Sequence, residues 1–235
     1  MRKMVKGPIT RVAPVVARLD DDVLPPLALL LAAHAGGGQV ERHRALWAFD
    51  ARLAKVARTT REPMIGQMRL AWWNDVIEDA AGIKGQGEPV VDAMRATGAM
   101  AAPGLVAMID GWEVLVVEPE IDVEGLRTYA IGRGGGLFRA LADAGDVPDW
   151  LAAAGQLWAL WDLAGHVGDT ALAEAALALA REIAPVGPMT WPRAWKPLRI
   201  AFTLARQDVM AGRGAPMGMP RALAWQLLRI ALVGR

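Results

Sequence analysis

Apolar side chains in this chain return every three or four residues, and no stretch alternates apolar with polar as a half-buried strand requires. Leu46, Phe49, Leu53 and Val56 fall on one helical face. Ile65, Met68, Trp72 and Val76 repeat the pattern, with Trp72 and Val76 expected on the buried side. Leu157, Leu160, Ala164 and Val167 make a third stripe. Asp169 to Ile183 is built largely from Ala, Leu and Glu, strong helix formers. The pattern predicts an all-α chain.

The breaks between stripes divide it. Gly36-Gly37-Gly38 separates a short first helix from one starting near Gln39, and Arg61-Glu62-Pro63 fits a helix start with proline in the first turn. Gly82 to Pro89 and Val117 to Asp122 read as loops. Pro185 to Pro197 holds four prolines and reads as extended or turning, and Gly212 to Pro220 is the last break. Residues 1–22 read as an N-terminal arm and 23–235 as one bundle of about ten helices. The last helix, Arg221 to Val233, has two readings: a core helix, or an amphipathic helix with Arg221, Arg229 and Arg235 at lipid head groups.

Composition excludes several chemistries. The 235 residues suit one domain, and 54% hydrophobic against 22% charged is enough for a large core. A net charge of +1 gives no case for nucleic acid. With no cysteine there is neither disulfide nor thiolate chemistry, and a cytoplasmic location is compatible. Three histidines, His34, His43 and His166, are too few for a His-rich metal site. The longest apolar run, Leu27 to Ala33, is far short of the roughly 20 residues of a membrane span. No apolar core with a small-residue cleavage site follows Met1, so no signal peptide is expected. Ten tryptophans read either as bulky core filling or as an aromatic lining for an apolar ligand or lipid surface.

Three segments resemble one family. Arg44-Ala-Leu-Trp-Ala-Phe49 resembles the "R-x-L-Y-A-F" start of the first active-site helix of squalene/phytoene synthases. Glu62-Pro63-Met-Ile-Gly66-Gln-Met-Arg69-Leu-Ala-Trp72-Trp73-Asn-Asp75 is similar to "P-x-x-G-x-x-R-L-x-W-W-x-D" of bacterial members. Tyr129-Ala-Ile-Gly-Arg-Gly-Gly-Gly-Leu137-Phe-Arg is similar to the family's central tyrosine- and glycine-containing helix. The similarity spans about residues 20 to 235, and Gly155 onward matches more weakly. The resemblance implies an isoprenoid-synthase fold and, in the family, head-to-head joining of prenyl diphosphates. Magnesium ions held by two aspartate pairs, each i and i+4 on one helix, neutralise the departing diphosphate there.

The carboxylates that this chemistry needs are mostly missing. Ala54 and Arg58 match the first aspartate pair, and arginine only donates. On the later helix Asp162 falls where the family has asparagine and His166 where it has aspartate, and imidazole is a poor magnesium ligand. No metal or cofactor is expected, although magnesium would return if the site were rearranged. Asp75-Val-Ile-Glu-Asp79 has the D-x-x-x-D spacing, but by register lies on the helix after the family's aspartate helix. It reads as a cavity-facing pair or as a solvated face paired with Arg69 or Lys84. Arg133 and Arg139 are candidate anion contacts. Tyr129 is a cavity or core tyrosine, and the resemblance implies that the glycines of 132–136 let helices or ligand approach closely.

Two functions follow. In the first, the chain resembles a branch that has lost its aspartates, which includes a mitochondrial assembly factor for respiratory complex I. That likeness implies a binding or assembly role, with an apolar lipid or isoprenoid pocket lined by Phe49, Ala54, Arg58, Trp72, Arg133, Leu137 and Trp161. It also leaves room for a protein partner or contact at the membrane periphery. In the second, a prenyl transferase uses Asp50, Asp75, Asp79, Asp162 and Asp169 as replacement ligands, with Tyr129 and His166 as further candidates.

Overall fold

A computed structural model describes residues 24–118, 120–144 and 146–218, together with Trp225, Leu227, Arg229 and Ile230. Among the described residues there is no strand. The helices are α1 (Pro26–Ala33), α2 (Val40–Thr59), α3 (Pro63–Glu78), α4 (Pro89–Ala96), α5 (Leu105–Val117), α6 (Val123–Tyr129), α7 (Gly136–Ala142), α8 (Asp149–His166), α9 (Thr170–Glu182) and α10 (Lys196–Met210). The N-terminal arm, with Asp20 to Asp22, lies outside the described residues, as does most of Arg221 to Val233. Of that last segment Leu227 and Ile230 are buried, and Trp225 is exposed.

Local chemistry sets the helix ends. Proline occupies the first turn of α1, α3, α4 and α10, where its missing N–H costs nothing. Glu88 caps α4 by accepting from the Val90 and Val91 amides. Asp169 caps α9 by accepting from Ala171 and Leu172. That role uses the Asp169 carboxylate at a helix end and takes it out of the set of replacement metal ligands.

One core runs through the bundle. At its centre is α8, where Leu151, Ala154, Leu157, Trp158, Ala159, Leu160 and Trp161 are all buried. A helix apolar nearly all round is stable only inside. Each large side chain fully buried there contributes about 1.5–3 kcal/mol. The π-helical segment Ala130–Gly135 packs along α8 and α5. It does so because its glycines let backbones touch. A Cβ on Gly134 would lie 2.2 Å from the Gly155 carbonyl oxygen, and one on Gly132 2.6 Å from the Ala107 oxygen.

The stripe expected on α3 holds at Val76, which is buried, but not at Met68 and Trp72. Met68 and Trp72 are exposed, and the inward residues are Gly66, Leu70, Trp73 and Val76. Both sets obey three-and-four spacing. Gly66 decides between them, because its bare Cα lies against Val116 of α5, where any Cβ would collide.

Candidate functional site

Two stripes on α2 divide its work. Leu46, Phe49 and Leu53 fill the core, and the adjoining face carries Trp47, Asp50, Ala54 and Arg58. Facing it on α8 are Trp158, Asp162 and His166, each one turn apart. Between these faces the π-helical segment inserts Arg133, which is 3% exposed.

The Arg133 guanidinium is held on nearly every side. Its Nε and Nη2 donate to Asp50 Oδ1 and Oδ2 at 3.0 and 2.8 Å, a bidentate fork. Its Nη1 reaches Asp162 Oδ2 at 2.8 Å and also donates to the Tyr129 hydroxyl. Trp112 Nε1 donates to Asp50 Oδ1 at 2.8 Å. Its Cζ lies 4.3 Å from the Trp112 ring centroid, 4.8 Å from Trp158 and 5.7 Å from Tyr129. Those ring faces attract a cation that water no longer solvates. Burial alone would lower the Arg133 pKa, but Asp50, then Tyr129 and Asp162, outweigh it, and the group stays charged. Burial pushes the Tyr129 hydroxyl up, so it stays a neutral phenol.

Two cavities flank this cluster. One, of about 220 Å³, has apolar walls from Leu115, Ile121, Leu163, Val167 and Leu172. The other, of about 100 Å³, runs between α1 and the Trp47–Asp50–Ala54 face of α2. Arg58, Arg133, Asp162 and His166 border both. Ala54, Arg58, Asp162 and His166 therefore meet in one place. His166 Nδ1 lies 2.7 Å from the Asp162 carbonyl oxygen and 3.5 Å from the Asp162 carboxylate. A carbonyl only accepts, so Nδ1 carries the proton.

This set does not fit magnesium. The ion demands several oxygen ligands in octahedral array. Ala54 and Arg58 supply none, and Asp162 and Asp50 are both paired with a fixed cation. No group of three acidic or histidine side chains among the described residues is placed to hold a metal.

The remaining candidates lie elsewhere. Asp75 is on the surface, 3.2 Å from Lys84. Asp79 ends α3 and accepts from the amides of Lys84, Ile83 and Ala81. The Lys84 amide foremost, then Ile83, Ala81 and the Arg95 charge, hold its carboxyl below the usual range against a smaller opposing effect of burial. Neither aspartate reaches the cavities. Trp72 lies outside too, in a surface groove with Ile65 and Met68. Phe49, Leu137 and Trp161 are core residues. Phe49 packs edge-on against Trp73, and Trp161 Nε1 donates to Asp208 at 3.3 Å. Arg133 is central, yet its N–H groups are committed to side chains rather than held out to a ligand.

The role of Asp50 and the rings of Trp112 and Trp158 escape a reading by family motif. A signal existed. After Glu41, Asp50 is the sole acid of α2, and Arg133 is the sole charge between Arg127 and Arg139. A lone acid and a lone base on buried segments must find each other.

Compared with known proteins, the chain matches no family model, no curated protein and no solved structure.

Proposed function

We propose that this chain is a non-catalytic relative of the squalene/phytoene synthases, with a binding or assembly role and a pocket for a lipid or isoprenoid tail. The observation that carries the reading is the commitment of Asp50 and Asp162 to Arg133. In a synthase, carboxylates from two facing helices hold divalent ions. Here α2 and α8 hold a guanidinium that belongs to the chain itself. The larger cavity supports the ligand class: its walls are aliphatic, and Arg58 and His166 border it where a polar end would sit.

Two measurements test this. With magnesium and farnesyl or geranylgeranyl diphosphate, the purified protein releases no pyrophosphate above background. Native mass spectrometry after gentle purification shows a bound lipid or a protein partner, and Leu163→Trp, which fills the larger cavity, removes the lipid. Steady pyrophosphate release that disappears in Asp162→Ala would reverse the reading in favour of a transferase. Absence of both lipid and protein partner would remove its support.

A further inference from the structure

Charge is unevenly spread along the chain. Residues 183–235 hold eight of the 26 Lys and Arg but one of the 25 Asp and Glu. That single acid, Asp208, is 7% exposed and turned inward, paired with Arg213 at 2.6 Å and accepting from Trp161. The residues before 183 carry the opposite excess, 18 bases against 24 acids. That stretch of sequence thus carries more base than its own acid can neutralise.

Helix α10 gives this stretch a surface. Lys196, Arg199, Thr203, Arg206 and Met210 recur at three-and-four spacing on the side away from the buried Leu198, Ala201, Phe202 and Ala205. Among the described residues Lys196, Arg199 and Arg206 form no ion pair. Arg199 and Arg206 border an open groove of about 660 Å³ whose apolar side is Met189, Trp191, Phe202 and Met210. Met210 is 52% exposed. Trp191 is half-buried, stacked edge-on against Trp150 at 4.7 Å.

We propose that this outer face of α10 and its groove dock on the surface of an anionic lipid bilayer. Cations that form no ion pair among the described residues meet the head-group phosphates, and the indole and thioether side chains between them reach the acyl boundary. An acidic protein would satisfy the arginines. The mixture of tryptophan, methionine and arginine, however, fits the graded polarity of a bilayer interface. The inference is independent of any ligand in the interior cavities.

Co-sedimentation of the full chain with vesicles tests it. Phosphatidylcholine vesicles containing phosphatidylglycerol bind the protein, and pure phosphatidylcholine vesicles do not. Binding weakens as salt is raised. Neutralising two cations in Arg199→Gln/Arg206→Gln weakens it by on the order of 20-fold. Thr203→Glu, on the same stripe, weakens it independently, and circular dichroism confirms that both variants keep the fold. Equal binding to the two vesicle types, or unchanged binding of both folded variants, would overturn the proposal. So would displacement from vesicles by soluble polyglutamate at low concentration, which would assign the face to an acidic protein instead.

Discussion

The end of α3 and the interface of α2 with α8 each offer two aspartates, and they behave in opposite ways. On α3, Asp75 and Asp79 have the i, i+4 spacing of a metal-binding pair, yet one faces solvent beside Lys84 and the other closes a turn. Across α2 and α8, Asp50 and Asp162 are 112 residues apart in sequence and share one guanidinium. Spacing along a helix puts two side chains on a common face. Whether they act together depends on what that face packs against. The polar groups with energetic weight are those whose water has been replaced by named partners.

The largest expected effect separates the two regions. Asp50→Ala leaves Arg133 half-paired in the interior and strips Trp112 of its acceptor. A loss of about 3–5 kcal/mol in urea unfolding is expected, as for other broken buried pairs. An effect below about 1 kcal/mol would place that cluster in contact with water and erase the contrast.

A second, somewhat smaller effect comes from another buried group of α2. Burial foremost, then the Arg42 charge, lowers the His43 pKa to about 4 from the model-peptide 6.5, with Asp143 opposing. The unfolded chain therefore takes up a proton between those values while the folded chain does not. Stability is full above pH 6.5, falls as the pH drops through this window, and has lost about 3 kcal/mol by pH 4. His43→Gln should flatten that part of a stability–pH curve, and an unchanged slope would assign the loss to other groups.

The smallest effects belong to α3. Asp79→Ala removes an acceptor for three amides and lowers Tm by a few degrees. Asp75→Ala breaks an exposed pair and shifts stability by less than about 0.5 kcal/mol. A larger change from Asp75 than from Asp50 would invert the ranking of the two regions.

Much of the bundle was legible in the sequence because its punctuation is chemical. Pro63, Pro89 and the triple glycine after Ala35 mark boundaries through fixed or freed backbone angles, which are local properties. The close approach at Gly132 to Gly136 was legible from the missing side chains together with the family resemblance. Helix register puts Ala54 with Arg58 and Asp162 with His166, whereas the meeting of the two pairs is visible only in the structure. The inward face of α3 was not legible, since Trp72 and Trp73 are equally apolar and only contact of Gly66 with Val116 selects between them. The pairing of Asp50 was legible only as a lone acid and a lone base on apolar segments, and its geometry was not, because Trp112 and Arg133 arrive from other helices 62 and 83 residues later.

The glycine contact between the π-helical segment and α8 has a consequence for residue counting. A π turn holds one residue more than an α turn, so removing one residue, such as Gly135, lets the segment relax to α geometry and moves the residues inside that turn, Arg133 among them. Arg133 would swing out of its ring of tryptophans while its chemical identity stayed intact. The phase of the chain at this crossing, as much as the choice of side chain, is what installs a positive charge at the middle of the molecule.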